Sequence, residues 1–232
     1  MPVFAGIIAA GGLGLRFQNA VGARPAVTLP KQLQSIAGKT VLQWSIDALL
    51  PHCSVIVVAA PAEHLELFKT HASQTVQVLP GGTSRAQSIA LAFAQIPKHI
   101  PYILIHDAAR PAVSNAVIER VKQGTLDHGA AIAALALTDT IKRVADGVLV
   151  ATLDRSTLWA AQTPQGFRAD WYRDALAASK NISSVTDDAS LLETLGRKVH
   201  VVLGDERNRK LTTPEDWGYL VSLLTTWCPE SS

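Results

Sequence analysis

The chain has 232 residues, 21 Lys and Arg against 19 Asp and Glu, a net charge of +2, and 48% hydrophobic against 17% charged residues. That length suits one α/β domain with a large core, and the composition excludes a disordered chain. With no lysine-rich tract and no apolar run near the ~20 residues that cross a bilayer, neither polymeric nucleic acid nor a membrane is an expected partner.

Val3 to Ala10 reads as a buried strand of ordinary length, not a cleavable leader. It breaks into Gly11-Gly12-Leu13-Gly14-Leu15-Arg16, and Pro30-Lys31-Gln32 follows. Glycines there let backbone N–H groups approach phosphate oxygens, and Arg16 and Lys31 set two positive charges beside them. The loop lacks the third small residue of a dinucleotide fingerprint and the Lys-Ser or Lys-Thr of a Walker loop. By itself, a tight turn with a surface arginine fits it as well.

Helix-like segments are expected at Val41 to Leu50, Ala62 to His71, Ser84 to Gln95 and Asn115 to Asp127. In the third, Ile89, Phe93 and Ile96 share one face. Strands are expected at Val55 to Ala60, Tyr102 to Ile105 and Ala130 to Leu137, continuous apolar runs that suit burial on both faces, and at Val76 to Leu79. Gly81-Gly82 forms a second glycine turn, with Thr83 or Ser84 as the N-cap of the next helix. His106-Asp107-Ala108-Ala109-Arg110-Pro111 ends the Tyr102 strand. Asp107 there suits Mg²⁺, and Arg110 can fork an anion; the plainer alternative is a turn cap salt-bridged to Arg110. His106 reads as a packed, hydrogen-bonded histidine.

Thr138 to Ala151 breaks the alternation and reads as a hairpin turning at Asp146-Gly147, an arm projecting from the sheet. Thr186-Asp187-Asp188 reads as a helix start whose carboxylates cap. Thr213, Pro214 and Asp216 open a last helix carrying Trp217, Leu220 and Leu224, and Lys210 just before it could grip a phosphate. Cys53 and Cys228 fit no metal or disulfide framework, which favours a reducing cytoplasm. The expected fold is α/β: a single Rossmann-like domain over 1–232, with a mostly parallel twisted sheet, helices on both faces and ligands at the carboxyl ends of its strands.

Taken in order, these motifs resemble the 2-C-methyl-D-erythritol 4-phosphate cytidylyltransferases of isoprenoid precursor synthesis. The resemblance covers nearly the whole chain: the A-A-G-x-G-x-R loop with Pro30-Lys31-Gln32, Gly81-Gly82 with Arg85 and Ser88, and His106 to Pro111. It continues through Asp139 to Arg143, Asp154-Arg155 with Leu158-Trp159, Thr163-Pro164-Gln165, Thr186 to Ser190, and Lys210 before Thr213 to Asp216. It implies a nucleotide-diphospho-sugar transferase type of fold and a homodimer joined by the arm, 138–155. It further implies that Ala9, Ala10, Gly11, Gly12, Gly14, Gly81, Gly82, Arg85 and Ser88 hold CTP, and that Arg16, Lys31, Arg155 and Lys210 are catalytic. Asp107 would hold Mg²⁺ and face both substrates. Arg110, Thr140, Arg155, Thr163 and Lys210 would align the sugar phosphate, with Thr140 and Arg155 offered to the partner's site. The sequence departs from the family in its stretch from Phe17 to Pro30, which is longer than usual and expected to settle only on nucleotide binding. Ribitol 5-phosphate cytidylyltransferases share the glycine loop and the T-P-Q segment, so another polyol phosphate is the alternative substrate. A nucleotide-binding module without catalysis is the remoter one.

Overall fold

The computed structural model describes residues 3–11, 29–179, 181–182 and 187–226. Gly12, Gly14, Arg16, the stretch 17–28, Thr186 and Cys228 therefore lie outside the described residues. The strands expected first are all present: β1 (Phe4–Ala9), β4 (Val55–Ala60), β5 (Val76–Pro80), β6 (Tyr102–Asp107) and β7 (Ala130–Ala136). Two short strands, β2 (Ser35–Ile36) and β3 (Lys39–Thr40), pair with each other ahead of α1 (Val41–Leu49). The helices that follow are α2 (Leu65–Lys69), α3 (Arg85–Phe93), α4 (Asn115–His128), α5 (Ala169–Ala178), α6 (Asp188–Glu193) and α7 (Pro214–Thr225).

Like β2 and β3, the strands β10 (Trp159–Arg168) and β11 (His200–Leu203) were not foreseen. Among the described residues the main sheet runs β11-β7-β10-β6-β1-β4-β5. The pairs β1–β4, β1–β6, β4–β5 and β7–β11 are parallel, but β10 runs antiparallel to both of its neighbours, β6 and β7. Pro164 sits where the β10 register shifts against β7, between Ala161 and Gln165, which is where a strand tolerates a proline.

The continuous apolar strands serve two cores at once. Along β1, Phe4 and Ile8 turn to one face, with Leu42 and Ile46 of α1 and Val117 and Val121 of α4. Ala5 and Ile7 turn to the other, where Ile89, Phe93 and Ile96 make the expected stripe with Tyr172 of α5. Each such fully buried side chain contributes about 1.5–3 kcal/mol. A third cluster seats α7, through Leu220 and Leu224, on Val41, Ala112 and Leu211. The caps are those the sequence indicates: Ser84 accepts from the N–H of Gln87, and Thr213 with Asp216 closes a capping box.

The hairpin is present as a separate two-stranded sheet, β8 (Lys142–Ala145) with β9 (Val148–Thr152). Asp146 and Gly147 both take positive φ at its turn, 50° and 77°. Because β10 runs against β6, its amino end lies at the carboxyl edge of β6, with Gln165 opposite Ile105 and Arg168 opposite Tyr102. The arm, which leads directly into β10, therefore emerges at the edge where ligands of such sheets bind.

Candidate functional site

The ends of four strands, β1, β4, β5 and β6, are laced together by backbone. The N–H of Ala10 donates to the carbonyl of Ala59 (2.9 Å), that of Ala108 to Ala9 (3.1 Å), and that of Gly81 to Ala60 (2.7 Å). This brings Gly11, Gly82 and Asp107, far apart in sequence, to one cleft of about 300 Å³. A side chain at Gly81 would put its Cβ 2.7 Å from the Ser88 hydroxyl, so the second glycine turn is closed to any larger residue. The Ser88 hydroxyl accepts from the N–H of Gly82 (3.1 Å), which pins the turn to α3.

Of the expected site residues, Ala9, Gly11, Lys31, Gly82, Arg85, Ser88, Asp107 and Lys210 line this cleft. Gln32 and Ala109, for which no role was foreseen, line it too, as do Thr83 and Ser84, expected only as candidates for the helix N-cap. Gln32 supports the glycine turn from beneath, its Nε2 donating to the carbonyl of Ala10 (3.1 Å). Lys31, almost buried, holds its ammonium on the carbonyl of Leu211 (2.5 Å), tying the residue after Pro30 to the approach of α7.

Asp107 is the centre of charge. Its Oδ1 accepts from Nε of Arg85 (3.0 Å), its Oδ2 from Nζ of Lys210 (2.7 Å), and Nε of Arg110 stands 3.8 Å from Oδ2. Burial alone would raise its pKa, but Arg85 and then Lys210 outweigh that and hold the carboxyl well below the usual carboxylate range. Asp107 thus lines the cleft and is ion-paired, with Arg85 and Lys210 closer to it than the Arg110 that the plainer alternative named. Arg110 spends Nη1 on the carbonyl of Asn208 (2.7 Å) and does not line the cleft.

Beneath Asp107 lies a chain of buried polar groups. Its N–H donates to the hydroxyl of Thr163 (3.0 Å), and that hydroxyl meets Nδ1 of His106 (3.0 Å). Nε2 of His106 faces the carbonyl of Arg110 (3.1 Å), which can only accept. The proton therefore sits on Nε2, Nδ1 accepts, and Thr163 donates. Burial lowers His106 to a pKa of about 4, so it is neutral at pH 7. The packed histidine expected from sequence is what the structure shows. Thr163 has its hydroxyl committed inward, shaping the turn that carries Asp107.

Thr140 and Arg155 are exposed on the arm, and neither lines the cleft of its own chain. A guanidinium nitrogen of Arg155 donates to the carbonyl of Thr138. At the start of α6 the expectation divides. Asp187 caps, accepting from the N–H of Ser190 (3.1 Å), whereas Asp188 turns away from the helix end to Arg85 and Tyr172. Two adjacent carboxylates at a helix start read alike in a sequence, and only the packing of α5 on α6 separates them.

A glycine-floored cleft at the carboxyl edge of a mostly parallel sheet, with cations gathered about one carboxylate, is the arrangement of an α/β protein whose site suits phosphate-bearing ligands. Comparison with known proteins narrows that class. The chain belongs to the family described as IspD, 2-C-methyl-D-erythritol 4-phosphate cytidylyltransferase, whose sequence model matches residues 5–225. The protein of that name from Haemophilus influenzae strain Rd is 38% identical over 209 residues, 88% of this chain and 92% of its own. The bifunctional enzyme IspD/IspF of Rhodospirillum rubrum is 39% identical over 222 residues, 93% of this chain and 56% of its own; the chain thus spans about half the length of such bifunctional relatives. The crystal structure of the Francisella tularensis 2-C-methyl-D-erythritol 4-phosphate cytidylyltransferase superposes with a TM-score of 0.79 at 30% identity, over 94% of this chain and 98% of that one. Among the described residues, no helix is long and apolar enough to cross a membrane.

Proposed function

We propose that this chain transfers the cytidylyl group of CTP to 2-C-methyl-D-erythritol 4-phosphate, giving 4-diphosphocytidyl-2-C-methyl-D-erythritol and pyrophosphate. The observation that carries the reading is the pairing of Arg85 and Lys210 with Asp107 in a glycine-floored cleft that Lys31 also lines. A phosphate monoester with its second pKa near ~6 is mostly dianionic at neutral pH, so it attacks the α-phosphorus of CTP without a general base. His106 supports this: its proton and its lone pair are both spent inside the fold, so it has neither to offer the cleft. The remaining work is to align two anions and counter the charge that builds on the α-phosphate and on the departing pyrophosphate. Lys31 and Lys210 bring that charge, and Arg16, from the glycine loop, is assigned the same task.

Mg²⁺ fits the donor set. It asks for one or two carboxylates when substrate phosphates supply the other oxygens, and Asp107 faces the cleft with a carboxylate kept ionised. When bound, Mg²⁺ would neutralise the triphosphate and favour loss of pyrophosphate. We assign the active form to a homodimer. Val144, Val148, Leu149 and Val150 of the arm are all more than half exposed, and a lone two-stranded hairpin is marginal in water. The matching arm of a second copy is the simplest cover, which would offer Thr140 and Arg155 to the neighbouring cleft. The cytoplasm is the compartment proposed, with Cys53 a buried free thiol.

The test is pyrophosphate release from CTP with methylerythritol phosphate and ribitol 5-phosphate compared side by side. Turnover with the first and little with the second is expected. Faster turnover with ribitol phosphate would reassign the acceptor, and nucleotide binding without pyrophosphate release would leave a binding module.

A further inference from the structure

Arg85 is forked between two carboxylates. Its Nε lies on Asp107 (3.0 Å), and its Nη1 lies on Oδ2 of Asp188 (2.7 Å), 103 residues further along the chain. The other oxygen of Asp188 accepts from the hydroxyl of Tyr172 (2.7 Å). Asp188 is 1% exposed and Tyr172 fully buried. A buried carboxylate is costly unless paired, and this one contributes nothing to capping α6, which Asp187 already serves. Its two oxygens are instead spent on one cleft arginine and one core phenol.

The consequence falls on Arg85. It opens α3 at the mouth of the cleft with its side chain about a third exposed, within the space that phosphate groups would occupy. An arginine held only by Asp107 could leave it for a triphosphate, which offers more charge. Asp188 opposes that exchange, because a guanidinium that swings outward would strand a carboxylate in the core. We propose that Asp188, braced by Tyr172, is a positioning residue that fixes Arg85 and, through it, Asp107 as nucleotide binds. The inference rests on the cytidylyl-transfer reading above and adds to it two residues that touch no substrate.

The test combines Asp188→Asn, Tyr172→Phe and Arg85→Ala in pairs. Turnover at saturating CTP is measured against folded protein, determined by thermal unfolding of the same samples. Asp188→Asn should lower turnover about 10–100-fold, as loss of a supporting group around a charged site does, and Tyr172→Phe should lower it less. Because Asp188 acts through Arg85, adding Asp188→Asn to Arg85→Ala should cost nothing more. Losses that multiply in the double variant would overturn the proposal, as would unchanged turnover in both single variants with only a lower melting temperature. If Asp188→Asn does not fold, Tyr172→Phe, alone and with Arg85→Ala, decides it. An inactive wild-type chain would instead count against the cytidylyl-transfer reading, and the same pairs read by calorimetric CTP affinity would still decide whether Asp188 acts through Arg85.

Discussion

Replacing Asp107 by Asn removes the carboxylate that Arg85, Lys210 and Arg110 share, and its cost can be worked out partner by partner. Lys210 is 43% exposed and would solvate itself. Arg85 keeps Asp188. Arg110, 12% exposed, would be left without its carboxylate at 3.8 Å. Breaking a buried pair costs about 3–5 kcal/mol, and with two of three partners provided for, about 3 kcal/mol is expected. For a domain of this size that lowers the melting temperature by roughly 6–12 °C. The effect on ligands has the opposite sign: the released cations should bind CTP in EDTA at least as tightly as in the parent chain. With the carboxylate gone, the Mg²⁺ concentration for half-maximal turnover should rise. Differential scanning calorimetry, CTP titration in EDTA and pyrophosphate release across a Mg²⁺ series read the three effects. An unchanged Mg²⁺ titration with normal turnover would refute the reasoning and reduce Asp107 to a turn cap.

On the proposal that Lys31 and Arg16 counter charge that grows in the transition state, Lys31→Ala and Arg16→Ala should each lower turnover by about 10²–10³ and weaken CTP binding far less; a raised KM with normal turnover would sink that role. Thr163→Val strands the N–H of Asp107 and Nδ1 of His106, so a loss of at least about 2 kcal/mol is expected in urea unfolding. His106 is held at about 4 when folded and titrates near 6.5 when unfolded, so between those values the unfolded chain binds more protons and stability falls as pH drops, by up to about 1.4 kcal/mol per pH unit. Burial lowers His52 and His71 as well, so His106→Gln should flatten that slope without abolishing it; an unchanged slope between pH 6.5 and 4.5 would show that His106 is not the titrating group. Mixing inactive Arg155→Ala with inactive Lys31→Ala should restore some activity through mixed dimers, and failure with subunit exchange verified would return Arg155 to its own subunit's pocket.

The parts of the fold legible in the sequence are those where one physical signal dominates. The run Val55 to Ala60 has no polar residue, so a strand buried on both faces is its only comfortable state. Ser84 and Thr213 announce helices because their hydroxyls sit three residues before an N–H in need of an acceptor. β10 was hidden by its composition. Gln162, Thr163 and Gln165 are polar yet buried, and Pro164 argues against a strand until a register shift makes room for it. β11 is a four-residue edge strand with Val201 and Leu203 exposed, too short and too wet to declare itself. The cleft itself was largely readable, because glycine turns and a carboxylate at strand ends point to the same edge. The side chains behind it, Tyr172 and Asp188, were not, since a buried carboxylate beside a helix start looks the same on paper as a cap.

The reversed strand also sets an order of assembly. β1, β4, β5 and β6 are complete once residue 107 has been made, but β7 has no place in the sheet until β10 arrives to separate it from β6. Its slot stays open while about 50 further residues emerge, a few seconds at ordinary rates of synthesis. During that time β6 presents an unpaired edge, and β7 does so too once residue 136 has been made, the feature most prone to pair with a neighbouring chain. The strand that carries Thr163 to Asp107 is therefore also the one that joins β7 to the rest of the sheet, and a chain stopped short of Trp159 would lack both the support of its site and the cover of the β6 edge.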